Sequence, residues 1–132
     1  MRPLVALLIL LAAPSVAQEI DCATAMAQQD LNHCAHADWQ VADSDLNQAY
    51  AAAMDLMRQW DEGLPAEEQG GAAALKEAQR AWITFRDKAC AAEGYAMKGG
   101  SAEPLLVYGC MARVTKERAS HLWAMVQAYG DL

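Results

Sequence analysis

The sequence predicts an all-α fold, an up-down-up three-helix bundle carrying two disulfides, and three observations lead there. Apolar residues recur at steps of three and four through three long segments, which is the period of a helix with one buried face. Glycine-rich breaks separate the segments, and nowhere does an apolar/polar alternation of strand period run for any length. Four cysteines, Cys22, Cys34, Cys90 and Cys110, follow an N-terminal export-type segment, where disulfides persist.

The first element is that segment. Arg2, the apolar run Leu4 to Ala13 and the small-x-small triplet Ser15-Val16-Ala17 have the layout of a secretory signal peptide over residues 1–17. The run is too short to be a permanent membrane helix. A lipoprotein would need small residues directly before its cysteine, whereas Glu19-Ile20-Asp21 precede Cys22. The expectation is a periplasmic or secreted protein without a membrane anchor, residues 18–132 forming a single domain.

The first helix is expected from about Gln28 to Trp60, on the stripe Leu31, Cys34, Ala42, Leu46, Ala49, Tyr50, Ala53, Met54, Met57 and Trp60. "DEGLPAEEQGG" then stops one helix and permits another. The second stripe reads Leu75, Ala78, Trp82, Phe85, Ala89, Ala92 and Ala96, placing Trp82 and Phe85 in the core, and Gly99-Gly100 end it. Ser101 is the expected N-cap of the third helix, with Pro104 in its first turn. Its stripe is Leu105, Tyr108, Ala112, Thr115, Ala119, Leu122, Val126 and Tyr129. A hairpin turning at Gly99-Gly100 brings Cys90 and Cys110 level, which predicts that disulfide. Cys22 and Cys34 pair by elimination.

Charge is polarised along the chain. Residues 18–68 hold eleven acids and one base, residues 69–132 six acids and eight bases. Such a balance disfavours nucleic acid and anionic lipid and favours a cationic partner, or pairing of the two halves inside the bundle.

Catalytic signals are scarce. No GxSxG, phosphate loop or HExxH occurs, and no CxxC pair is present to hold zinc. His33 and His36 stand at i, i+3 near Asp30 without an evident third ligand, and His121 reads as a packed histidine. Asp43 with Asp45, and Glu67 with Glu68, sit in settings that give no reason for one carboxyl to stay protonated. The reading is therefore non-enzymatic, without metal or cofactor. Arg86 and Arg118, on helices that also carry Trp82, Phe85 and Tyr108, read as bridges between helices, with Asp38, Asp43 and Asp45 on the first helix as available carboxylates.

Taken together, Cys22 and Cys34 flanking "AQQDLNH", then "ADSDLNQAY", "AQRAWITFRDKAC", "GGS" and Cys110 followed by "TKERASHL" resemble the lysozyme inhibitor LprI-like domain family of small exported bacterial proteins. The resemblance spans nearly the whole chain beyond the export segment, and WxxFRxxxC is its most specific part. It implies a helical, disulfide-bonded envelope domain that binds, and by its name inhibits, a lysozyme-type muramidase. Those enzymes work with two carboxylates in an open cleft. The turn "MKGGSAE", with Lys98, Gly99, Gly100 and Ser101, is the expected contact, Lys98 approaching those carboxylates. The alternative is an envelope interaction module that inhibits nothing.

Overall fold

A computed structural model describes residues 20–130, so the expected signal peptide at residues 1–17 lies outside the described residues. Helices α1 (Gln28–Glu62), α2 (Gly71–Gly94) and α3 (Glu103–Tyr129) follow in chain order, with single 3-10 turns at Ala66–Glu68 and Tyr95–Met97. Among the described residues there is no strand. The chain runs up, down and up: α1 and α3 lie parallel, with Asn32 beside Ser101, Trp39 against Tyr108 and Trp60 against Tyr129. Antiparallel α2 closes the bundle, its first residues at Asp61 and its middle at Asp43.

The core follows from small residues on the facing sides of α1 and α3. Ala49, Ala53 and Ala119 are fully buried, and they let the two backbones approach so that Leu46, Met54, Leu75 and Leu122 fill the space between the helices. Tyr50 and Trp82 pack partly buried against this cluster. Thr115 is also fully buried, and its hydroxyl makes no hydrogen bond.

Both disulfides are as expected, Cys22–Cys34 with Cα atoms 5.6 Å apart and Cys90–Cys110 with 5.4 Å. The first ties the arm before α1 to its second turn. The second lies inside the bundle, where both cysteines are buried.

The rotation of α2 differs from the expected stripe. Its inward row is Leu75, Gln79, Trp82, Arg86, Cys90 and Gly94, while Phe85 is 62 % exposed and Ala78 and Ala92 face solvent. Phe85 is thus not a core residue. The cause is the cross-link: Cys90 must face α3 and Gly94 packs against Val107 one turn on, so Arg86, four residues before Cys90, also points inward. Phe85 sits about 100° further round. Apolarity alone mispredicted the phase, because an alanine stripe carries little preference for burial.

Gly94 is a point of close approach, since a Cβ there would lie 2.5 Å from a methyl of Val107. Gly94→Ala gains about 0.5–1 kcal/mol of helix preference but incurs an overpacking cost of about 1–3 kcal/mol. The expected net loss is about 1 kcal/mol, to be read from denaturant unfolding; unchanged or increased stability would contradict the packing described.

The connection between α1 and α2 is organised by one carboxylate. Asp61 accepts hydrogen bonds from the backbone N–H groups of Gly70, Gly71 and Ala72 at 2.8–3.0 Å, capping α2 from the end of α1. These donors, Gly70 first, hold its carboxyl below the ordinary 3.8. A depressed folded-state pKa contributes stability that is present above the unfolded value and is lost as pH falls through the folded one. Asp61→Asn should therefore melt earlier at neutral pH and show a flatter decline between about pH 5 and pH 2, which thermal melts across that range would reveal. Parallel acid limbs in the two proteins would refute it.

Candidate functional site

The end of the bundle where α2 hands over to α3 carries the expected contact turn, built by local hydrogen bonding. Gly99 adopts φ +75°, a left-handed conformation suited to glycine. Lys98 N–H donates to the Tyr95 carbonyl and Gly100 N–H to that of Met97, at 3.2 and 2.9 Å. Glu103 holds the turn from the start of α3, accepting from Gly99 N–H at 2.8 Å and from Lys98 Nζ at 2.7 Å. The pairing lifts the Lys98 ammonium above its usual range and lowers the Glu103 carboxyl. From α1, Asn32 Nδ2 donates to the Ser101 carbonyl at 2.9 Å.

Two expectations change here. Ser101 caps nothing with its side chain; the N-cap position falls on Ala102, and Glu103 turns back onto Gly99 instead. Lys98 is also not a free cation, because its charge is matched by Glu103 in the unbound protein. What the turn offers outward is Tyr95, 67 % exposed, and Met97, 51 % exposed. Tyrosine and methionine are enriched where proteins meet. Sequence reading passed over Tyr95, which lies in no motif or apolar stripe, and took Met97 only as the first residue of the MKGGSAE turn, with Lys98 as its contact.

Below the turn, Arg86 occupies an aromatic box. Its side chain is 9 % exposed, with the guanidinium carbon 5.7 Å from the Trp39 ring centre and 5.4 Å from that of Trp82. It pairs with Asp87 at 2.8 Å and Asp43 at 3.4 Å, so it spans α2 and α1. Trp39 stacks on Tyr108, and the His36 ring meets both edge-on. His36 is thereby committed to packing, and among the described residues no three His, Cys, Asp or Glu side chains converge as metal ligands. Arg118 reaches from α3 to Gln79 of α2 at 3.1 Å and lies within 3.4 Å of Nδ1 of His121, which is exposed, not packed. Partial burial lowers the Arg118 pKa.

The acids of α1 do not form a catalytic pair. Asp43 faces Arg86 and Asn47, while Asp45 accepts from the Trp123 indole N–H at 3.0 Å. Glu67 and Glu68 lie exposed in the α1–α2 connection. Asp38 and Asp45 present negative charge to solvent along α1.

Residues 21–122, which contain all four cysteines and the WxxFRxxxC stretch, are matched by the family described as Lysozyme inhibitor LprI. The chain belongs to this LprI family. A relative in Rhizobium meliloti, described as an uncharacterized protein, is 41 % identical over 131 residues, covering 96 % of this chain and 94 % of the relative. The crystal structure of a DUF1311-family protein from Pseudomonas putida superposes with a TM-score of 0.63 at 29 % identity, over 76 % of this chain and 93 % of that one. The LprI family is of the inhibitor type and not a catalytic one, and its name points to a protein partner. Membership and two disulfides fit an extracytoplasmic protein. Among the described residues no helix is long and apolar enough to cross a membrane.

Proposed function

We propose that residues 18–132 form one exported domain, periplasmic or secreted after loss of residues 1–17, that binds a lysozyme-type muramidase through the Tyr95–Ser101 turn. The observation that carries this reading is the turn itself. An aromatic and a thioether stand exposed on a segment pinned by Glu103, by Asn32 and, at its base, by Cys90–Cys110. A contact surface ordered before binding loses little conformational freedom on docking. The acids along α1 supply steering toward a basic enzyme, a contribution to the association rate that weakens with salt.

Lys98 and Glu103 form a compact neutral pair. In contact with the two carboxylates of a muramidase cleft, Lys98 exchanges one carboxylate partner for another, while Tyr95 and Met97 cover the rim. The test is clearing of a cell-wall suspension by lysozyme with and without the purified protein, at low and moderate salt. Slowing that saturates with inhibitor, is stronger at low salt and drops at least about tenfold in potency for Tyr95→Ala/Met97→Ala is the expected outcome, an interface hot-spot loss of about 1.4 kcal/mol or more. No slowing at any excess removes inhibition. Retained binding without slowing would make the protein an envelope interaction module on the same surface.

A further inference from the structure

On the side that α2 turns to solvent, one row is largely apolar, flanked by the exposed Glu77, Arg80 and Asp87. Ala74, Ala78, Ala81, Phe85, Lys88 and Ala92 are all exposed and lie at alternating steps of four and three, the a/d repeat of a helix that packs against another helix. The bonds that tie α2 to α1 and α3 leave from a different row, Gln79, Arg86 and Cys90. Phe85, at 62 % exposure, is the large residue at its centre.

We infer that this row is a self-complementary seam, and that α2 pairs antiparallel with α2 of a second copy of this chain. The row matches itself when one copy is reversed about a two-fold axis near residue 83. Phe85 then stands opposite the other copy's Ala81, large against small, twice by symmetry. Ala92 meets Ala74, and the Lys88 stem lies over Ala78. The charges agree with the same register. Lys88 comes beside the other copy's Glu77, and neither residue belongs to an ion pair among the described residues. A parallel pairing would instead set Phe85 on Phe85 and Lys88 on Lys88. Only the reversed arrangement turns the one charged residue of the seam from a repulsion into an attraction. In this dimer the two Tyr95–Ser101 turns point to opposite ends and stay uncovered, so the inference stands independently of the proposed muramidase binding.

A single helix pair is a small interface, so association is expected in the micromolar range, on the order of 10 μM. Sedimentation equilibrium of the purified protein from about 1 to 200 μM reads it, that range bracketing the expected constant. The mass should rise from one chain toward two. Phe85→Glu should remain a monomer throughout, with unchanged circular dichroism and melting at low concentration because the side chain is exposed. Glu77→Lys should weaken association by at least about fivefold, an amount typical of a close charge pair reversed, and Glu77→Lys/Lys88→Glu should recover it. A monomer at every concentration, or a dimer indifferent to Phe85→Glu, overturns the inference. A dimer that Phe85→Glu dissolves but the charge swap does not rescue overturns the antiparallel register.

Discussion

Replacing Cys90 and Cys110 together by serine should lower the unfolding free energy by about 3 kcal/mol, and with it the melting temperature by on the order of 15 °C. The chain-entropy contribution for a cross-link between residues 20 apart accounts for this figure. Both sulfur atoms also lie inside the bundle, and two buried hydroxyls in their place would need partners. The comparison that matters is with Cys22→Ser/Cys34→Ser. That cross-link closes a loop of similar size, with a separation of 12, but Cys22 is exposed and the arm it holds packs at the edge of the domain. Its loss should free the arm while leaving the cooperative transition of the bundle nearly in place. Chemical unfolding of both variants, followed by circular dichroism, decides the point. Equal losses would mean that the arm, not the α2–α3 hairpin, is the part that unfolds with the core.

Arg86→Ala should cost about 2–4 kcal/mol, the second large effect, while Arg86→Met should cost less than about 1 kcal/mol. The reason lies in what the side chain does. Its stem and guanidinium fill the space between Trp39 and Trp82, and truncation to alanine leaves that space open. Its two acidic partners, by contrast, are substantially exposed: the side chain of Asp43 is 41 % accessible and that of Asp87 53 %. When Arg86 is removed they return to water, so no buried charge is stranded. Methionine keeps most of the volume and polarisability against the rings. If Arg86→Met proved as damaging as Arg86→Ala, the ion pairs rather than the packing would be holding the helices, against the usual small value of exposed pairs.

Cys90 and Arg86 also mark where sequence reasoning succeeded and where it failed. The helical period of Leu46, Ala49, Ala53 and of Ala112, Thr115, Ala119, Leu122 placed α1 and α3 correctly, because each row joins a leucine to small residues that let the two helices approach and bury it. The glycines at 99 and 100 placed Cys90 opposite Cys110. The same reading nevertheless put Phe85 in the core beside that disulfide, although residues 85 and 90 lie about 140° apart round a helix and cannot share one face. The WxxFRxxxC pattern held the answer in its spacing: arginine, not phenylalanine, stands four before the cysteine.

At the site, Gly99 and Ser101 were legible as a turn, since glycine pairs break helices. The pairing of Lys98 with Glu103, the exposure of Tyr95 and Met97, and the capping of α2 by Asp61 were not. Each depends on where a side chain of one element meets the backbone or side chain of another, and no local propensity encodes that meeting.

The amino-acid sequence alone therefore determined the helical class, the helix order, both disulfides and the family, because these rest on period, breaks and spacing along the chain. The tertiary structure alone decided the rotation of α2. A cross-link and a close glycine contact outweigh the burial of one aromatic ring, and so it is the structure that turned Arg86 inward and left Phe85 on the surface.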